Sequence, residues 1–412
     1  MKPTKLYSRT VLALLTAMNV LNYMSRSVLF AIQPLIQATF RRPDADFGLL
    51  TSSFFLCHII TIPAVGPLAD RYSRKLMIVL GALIWTGATA LTALANSFRM
   101  LLICHAIVGV GQAFFVTVSP TYIADLFSKE KLGRTLGVFY LAVPVGAAAG
   151  YILGGLLGTS FGWRAPFYVA SAPCVLLIIA LSLTPEPRRG EFDSPRGSTH
   201  QDRAGGLLKN PTFWMAVLGM AAMNFALGGL QVWMPTFLSR LRGFSLASAN
   251  RVFGRIIACS GIAASLAGGW SGDFVSRRTE GAYFLVAATS IALGVPVMTV
   301  ALFTNGALML PAIALSSFLL LLSIPPLNAA IINSVSASVR ATAIAVNIIT
   351  IHLLGDGLSP WLIGLIADRR SLQTGFSAAV LSMAVSSAIL FTGARYAIAR
   401  DTAKSDMTER PT

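Results

Sequence analysis

Two arginines, Arg26 and Arg255, stand inside long apolar runs, where a charge is costly and marks a candidate functional site. Arg26 has polar company. On a helical wheel Asn19, Asn22, Arg26 and Gln33 fall within roughly 60° of one another, giving that run one polar stripe, with Tyr23 beside it. A guanidinium is always charged and offers its donors as a planar fork, which suits an anionic head group, phosphate above all. The same arginine would equally serve as a packing element, paired permanently with a carbonyl or an acid. A second face carries His105, Gly109, Gln112 and Ser119 at i, i+4, i+7 and i+14. Gln112 donates and accepts hydrogen bonds but carries no proton through a cycle. His105 is the titratable member, either a coupling group or a buried neutral histidine. His58, among apolar neighbours, reads as core.

Later runs repeat the pattern. Asn224, Gly228 and Gln231 share one face, as do His352, Asp356 and Ser359. Asp356 lies about 22 Å into its run and is the one acid clearly deep in a span, so it is a candidate proton or cation carrier with His352. A fixed His352–Asp356 pair is the open alternative. Tyr23, Phe114, Phe115, Tyr140 and Trp233 are candidate walls for an apolar tail. No H-E-x-x-H, phosphate-cradling loop or serine elbow occurs. The expectation is a protein that is not an enzyme and has no cofactor, metal site or nucleotide-driven pump.

The elements that must hold these groups are membrane helices. Of 412 residues 55% are hydrophobic and 12% charged, half the share of a soluble domain. Twelve apolar runs are long enough to span a bilayer: 10–38, 47–69, 75–95, 98–125, 133–159, 164–184, 212–238, 247–271, 281–303, 306–333, 341–367 and 373–398. The first is too long for a signal-peptide core and is kept as a span. Cys57, Cys104, Cys174 and Cys259 all fall within runs and read as small apolar residues. The segment 185–210, with Arg188, Arg189, Asp193, Arg196, Asp202 and Arg203, reads as a mobile cytoplasmic linker. It separates two expected domains, 10–184 and 211–398. With both termini inside, cytoplasmic segments hold 21 of the 32 Lys and Arg against 9 outside, as the positive-inside rule requires. The net charge of +16 is therefore dispersed between spans, which argues against a nucleic-acid partner.

One loop occurs twice. Gly66-Pro-Leu-Ala-Asp70-Arg71-Tyr-Ser-Arg74-Lys75 follows the second run, and Gly269-Trp-Ser-Gly-Asp273-Phe-Val-Ser-Arg277-Arg278 follows the eighth. Gly, Asp and Arg share a spacing of four and four, 203 positions apart, as expected of parallel six-helix repeats. Asp70, Arg71, Arg74, Asp273 and Arg277 are candidates for a conformational latch, with Asp125 as partner for Arg71 or Arg74. Enforcement of topology is the plainer reading of the same arginines.

With these strings in view the chain resembles the major facilitator superfamily, and within it the Spinster-like branch. The resemblance rests on Asn22-Tyr23-Met24-Ser25-Arg26, on Gly109-Val-Gly-Gln112-Ala with Pro120-Thr-Tyr-Ile-Ala-Asp125-Leu-Phe127, and on the run from Gly137 to Gly155. It extends through Gly228-Gly-Leu…Trp233-Met-Pro235 and His352-Leu-Leu-Gly355-Asp356…Ser359-Pro360. It implies an all-α membrane protein of twelve transmembrane helices in two pseudo-symmetric six-helix bundles. It also implies alternating-access transport of amphipathic anions such as lysophospholipids or sphingosine phosphate, through a cavity between spans 1, 4, 7 and 11. Ser25, Gln112 and His105 depart from the branch's polar pattern, its acid, acid and arginine, so the proton coupling it implies does not carry over directly. The expected site is Arg26, Asn22, Asn19, Tyr23, Gln112, Tyr140, Asn224, Gln231 and Trp233, with His105, His352 and Asp356 as coupling candidates. The expected partners are a lipid or small-molecule substrate, membrane lipids, and protons or another coupling ion. The expected form is a monomer in the cell (inner or plasma) membrane. A carrier of small organic anions and a non-transporting membrane sensor or receptor are the alternatives.

Overall fold

The computed structural model describes residues 5–187, 207, 209–279, 281–335 and 339–408, and the regular structure in these residues is helical. In chain order the helices are α1 (Lys5–Ala31), α2 (Gln33–Phe40), α3 (Asp44–Arg71), α4 (Arg74–Ala93), α5 (Phe98–Ala124), α6 (Lys129–Tyr140), α7 (Ala142–Phe161) and α8 (Ala165–Ser182). There follow α9 (Pro211–Leu241), α10 (Leu246–Ser276), α11 (Ala282–Phe303), α12 (Met309–Leu322), α13 (Ile324–Asn333), α14 (Arg340–Thr350), α15 (Ser359–Arg369) and α16 (Leu372–Thr408). Eleven helical stretches among the described residues are long and apolar enough to cross a membrane, each on one of the expected runs. The 27-residue α1 is not one of them. Its buried Asn19, Asn22 and Ser25 and its cation Arg26 lower its hydropathy. Linker residues Arg188, Arg189, Asp193, Arg196, Asp202 and Arg203 lie outside the described residues.

Four of the expected runs are broken. The interruptions fall at Ile32, Leu141, Ser323 and Gly357–Leu358, each two or three residues before a proline (Pro34, Pro144, Pro325 and Pro360). A proline lacks the backbone N–H and pushes the residue before it away from the helical region, so these are the cheapest places to bend. Before the last break the chain widens into a π-helical turn over Ile351–Asp356, with Gly355 at φ −95° and ψ −111°. The bond from Gly357 N–H to His352 O (2.9 Å) spans five residues, as such a turn demands.

The helices form two packing units. One contains α1–α8 and Gln231–Ala258; the other contains the start of α9 through Leu230 and the chain from Cys259 onward. In the first, small residues let backbones meet. A Cβ on Gly146, Gly150 or Gly154 of α7 would lie 2.4 Å from Val20 O, 2.5 Å from Met24 O or 2.8 Å from Ala31 Cβ. The glycine strip of α7 is thus the bed for the polar helix α1. Gly109 of α5 approaches Phe54 O equally closely, at 2.3 Å for the added carbon. That contact sets α3 against α5. The core of this unit includes Trp85, Phe115, Tyr122 and Phe139.

Candidate functional site

α1, α3 and α5 converge on Arg26. Its Nη2 donates to Gln112 Oε1 at 2.9 Å. Gln112 is fully buried and donates in turn through Nε2 to Asn22 O and Ser25 Oγ, both at 3.2 Å. Ser25 Oγ donates to Asn22 O at 2.8 Å. The amide of Gln112 is therefore oriented from two sides, with its oxygen held toward the guanidinium. An amide cannot cancel the positive charge it binds.

Aromatic rings make the remaining walls. The Arg26 guanidinium carbon lies 4.5 Å from the centroid of Phe54, 5.1 Å from Tyr23 and 5.5 Å from Phe55. Each ring presents its electron-rich face to the cation. His58 stacks on Phe54 at 5.7 Å and is tied through Nδ1 to Gly109 O at 3.1 Å. His105, also buried, sits 6.2 Å from Phe54 between ring centres, and its Nδ1 has no hydrogen-bond partner among the described residues. Asn22 is fully buried, and both its side-chain polar atoms are without a partner among the described residues. Burying such atoms dry is expensive, so this corner has room in its chemistry for water or a polar ligand group.

The structure thus brings Arg26, Asn22, Tyr23, Gln112 and His105 together. Other candidates serve elsewhere. Asn19 spends its amide on Phe139 O at 3.1 Å. Trp233 is fully buried with its ring edge-on to Phe47, and Phe115 is buried against Trp85, so both are core side chains rather than open walls. Tyr140 is exposed beside Phe139. Gln231 contributes its backbone oxygen, which accepts from Tyr151 Oη at 2.7 Å. Phe54 and Phe55 were not anticipated. Nothing in their spacing sets them apart from other apolar pairs; the one local hint is His58 at i+4 from Phe54.

In the second unit His352 Nδ1 lies 2.8 Å from Asp356 Oδ1 across the π turn. The pair is half-hidden, at 18% and 17% side-chain exposure. Two glycines hold the turn against α9. A Cβ on Gly228 would fall 2.6 Å from Asp356 Cα, and one on Gly355 would fall 2.8 Å from Asn224 Cβ. Asn224 itself bonds back to Met220 O in its own helix, and Ser359 Oγ is buried without a partner among the described residues.

The repeated loops differ in detail. Arg74, not Arg71, pairs with Asp125, and it also reaches Thr121 O at 3.4 Å. Arg71 closes α3 and lies over the ring of Tyr72, whereas Arg74 opens α4 and so points along α5. Glu186, just past α8, accepts from Ser73 Oγ and from the Lys75 backbone at 3.4 Å, capping α4. In the other copy Asp273 accepts from Tyr283 Oη at 3.1 Å, and Arg277 is exposed.

Comparison with known proteins gives a consistent picture. The family model described as Major Facilitator Superfamily matches residues 15–360. Protein spinster homolog 1 of Xenopus laevis is 32% identical over 403 residues, 91% of this chain and 76% of that protein. The sphingosine-1-phosphate transporter SPNS2 of Danio rerio is 31% identical over 387 residues, 87% of this chain and 75% of its own length. A solved bacterial homolog of the human lysosomal transporter Spinster, inward-facing and unoccupied, superposes with a TM-score of 0.88. It covers 97% of this chain and 99% of that one at 23% identity, a likeness of fold.

Proposed function

This chain belongs to the major facilitator superfamily, in its Spinster family of multi-pass membrane transporters, and on that premise we propose that it carries amphipathic anions, lysophospholipid or sphingosine-phosphate-like, by alternating access. The observation that carries the reading is the Arg26 guanidinium, bonded to neutral Gln112 and walled by Tyr23, Phe54 and Phe55. A guanidinium offers a planar fork that fits a phosphate, and the rings suit the first carbons of a tail. That a relative is a sphingosine-1-phosphate transporter supports the same class.

In this reading α1 is the twelfth span, and residues 10–184 and 211–398 are two six-helix repeats with both termini cytoplasmic. The protein is a monomer of the cell membrane. Arg74–Asp125 and Asp273–Tyr283 are the latches of the two repeats. Coupling falls to His352 and Asp356, since Ser25 and Gln112 cannot titrate. A proton on Asp356 would loosen its bond to His352 and so bias the π turn, a geometry often found at functional sites.

The test is flux of a lysophospholipid into proteoliposomes. Uptake that is lost in Arg26→Ala supports the proposal, and unchanged uptake sinks the site. Equal transport of a short organic anion would favour a small-anion carrier. Binding without any flux would favour a sensor.

A further inference from the structure

The second intramembrane arginine, Arg255, is not a member of the site above. It lies nine residues into α10, about 13 Å along the axis from Leu246. Arg251 stands one turn earlier. Both side chains are exposed, and among the described residues neither makes an ion pair or a hydrogen bond. The opposite face of α10 is fully used. Asn250 donates to Ala31 O at 2.9 Å, and Phe253 packs on Tyr151 with ring centres 5.0 Å apart. Gly254 lies close enough to α7 that a Cβ would meet Ala148 O at 3.1 Å.

On a 100° wheel Arg251, Arg255, Ile262, Leu266 and Trp270 share one side of the helix, within roughly 100° of one another. Leu266 is 73% exposed and Trp270 68%. A helix face that apolar and that open meets acyl chains, not water. Two guanidiniums one turn apart at its end repel each other and lie next to hydrocarbon, so they need an anion. Their long side chains can bend toward the head-group level while their stems stay among the tails. Lipid phosphate is the anion that the bilayer itself supplies at that level.

We propose that this face of α10 holds an anionic phospholipid, its phosphate clasped by Arg251 and Arg255 and its acyl chains lying along Ile262 and Leu266. The site is separate from Arg26 and does not depend on what the protein transports. Because the two arginines bring two positive charges and no acid, a net-anionic lipid binds in preference to a zwitterionic one.

The experiment is thermal unfolding of the full chain in neutral detergent, titrated separately with phosphatidylglycerol, phosphatidylcholine and glycerol 3-phosphate. Phosphatidylglycerol raises the midpoint of the parent by about 4 °C, and the other two leave it nearly unchanged. The shift disappears in the double variant Arg251→Gln/Arg255→Gln, largely survives in Arg251→Lys/Arg255→Lys, and is intact in Arg26→Ala. Should the double glutamine variant not purify, each single Arg→Gln variant loses about half of the shift if both cations share one phosphate. A full shift in the glutamine variants overturns the proposal. So does an equal shift with phosphatidylcholine, or one with glycerol 3-phosphate, which would assign the arginines to a free anion.

Discussion

The guanidinium of Arg26, bonded to an amide and faced by rings, suits a phosphate head, and the residues around it allow that to be tested one atom at a time. Arg26→Ala should weaken binding of a phosphate-headed amphiphile by about a hundredfold, the order of a lost charge-assisted pair. Arg26→Lys should recover some of this loss, since an ammonium keeps the charge but loses the planar fork. Gln112→Glu is the sharper probe. A carboxylate at the position of the amide oxygen, 2.9 Å from Arg26, would form an internal ion pair and compete with the ligand. Relative to the parent, binding should then fall at neutral pH and return as the pH drops and the glutamate is protonated. Titrating ligand affinity from acid to neutral pH in both proteins checks this, and a variant profile that follows the parent's would contradict the assigned role of Gln112.

At the scale of elements, the site depends on backbones that touch. Gly109 holds α5 against α3 at Phe54, so Gly109→Ala must push these helices apart at a contact of 2.3 Å to a backbone oxygen. Overpacking of this kind costs about 1–3 kcal/mol. The midpoint should fall and, because Phe54 moves off Arg26, affinity should fall with it. Gly87→Ala, where nothing lies within 4 Å, is the matched control and should be neutral or slightly stabilising. Gly228→Ala should likewise displace the π turn through Asp356, with a fall in thermal midpoint as the readout. At the cap of the same helix that Arg74 opens, Glu186 ties the chain leaving α8 to Ser73 and Lys75. The motif loop is therefore also an attachment point for the segment that follows α8.

For the whole molecule the question is coupling. If His352 and Asp356 carry the proton, uptake in the parent should respond to a pH gradient, and Asp356→Asn should transport at a gradient-independent rate. Uptake that ignores the gradient in both proteins would make the carrier facilitative, and the His352–Asp356 contact at 2.8 Å a fixed strut.

Much of this was legible in the residues themselves. Apolar runs of span length, the glycines at 146, 150 and 154, and the polar stripe with Arg26 all follow from periodicity, because a helix fixes which side chains share a face. Of the broken runs, only the one at the Pro325-Pro326 pair was legible. Pro34, Pro144, Pro325 and Pro360 each follow a break, yet Pro63, Pro120 and Pro235 sit inside unbroken helices. Which proline bends its helix is decided by neighbours that can satisfy or shield the freed carbonyl. The same limit applied to side chains. That Arg74 rather than Arg71 meets Asp125, and that Phe54 and Phe55 rather than Phe115 and Trp233 face the guanidinium, are choices between residues of one type. Only the rotation and close approach of α3 and α5 could make them. Sequence by itself determined the membrane class, the family and the charge at the site, because lipid tolerates so few alternatives. Tertiary structure alone decided what surrounds that charge, because contacts between helices depend on distances that no spacing along one helix encodes.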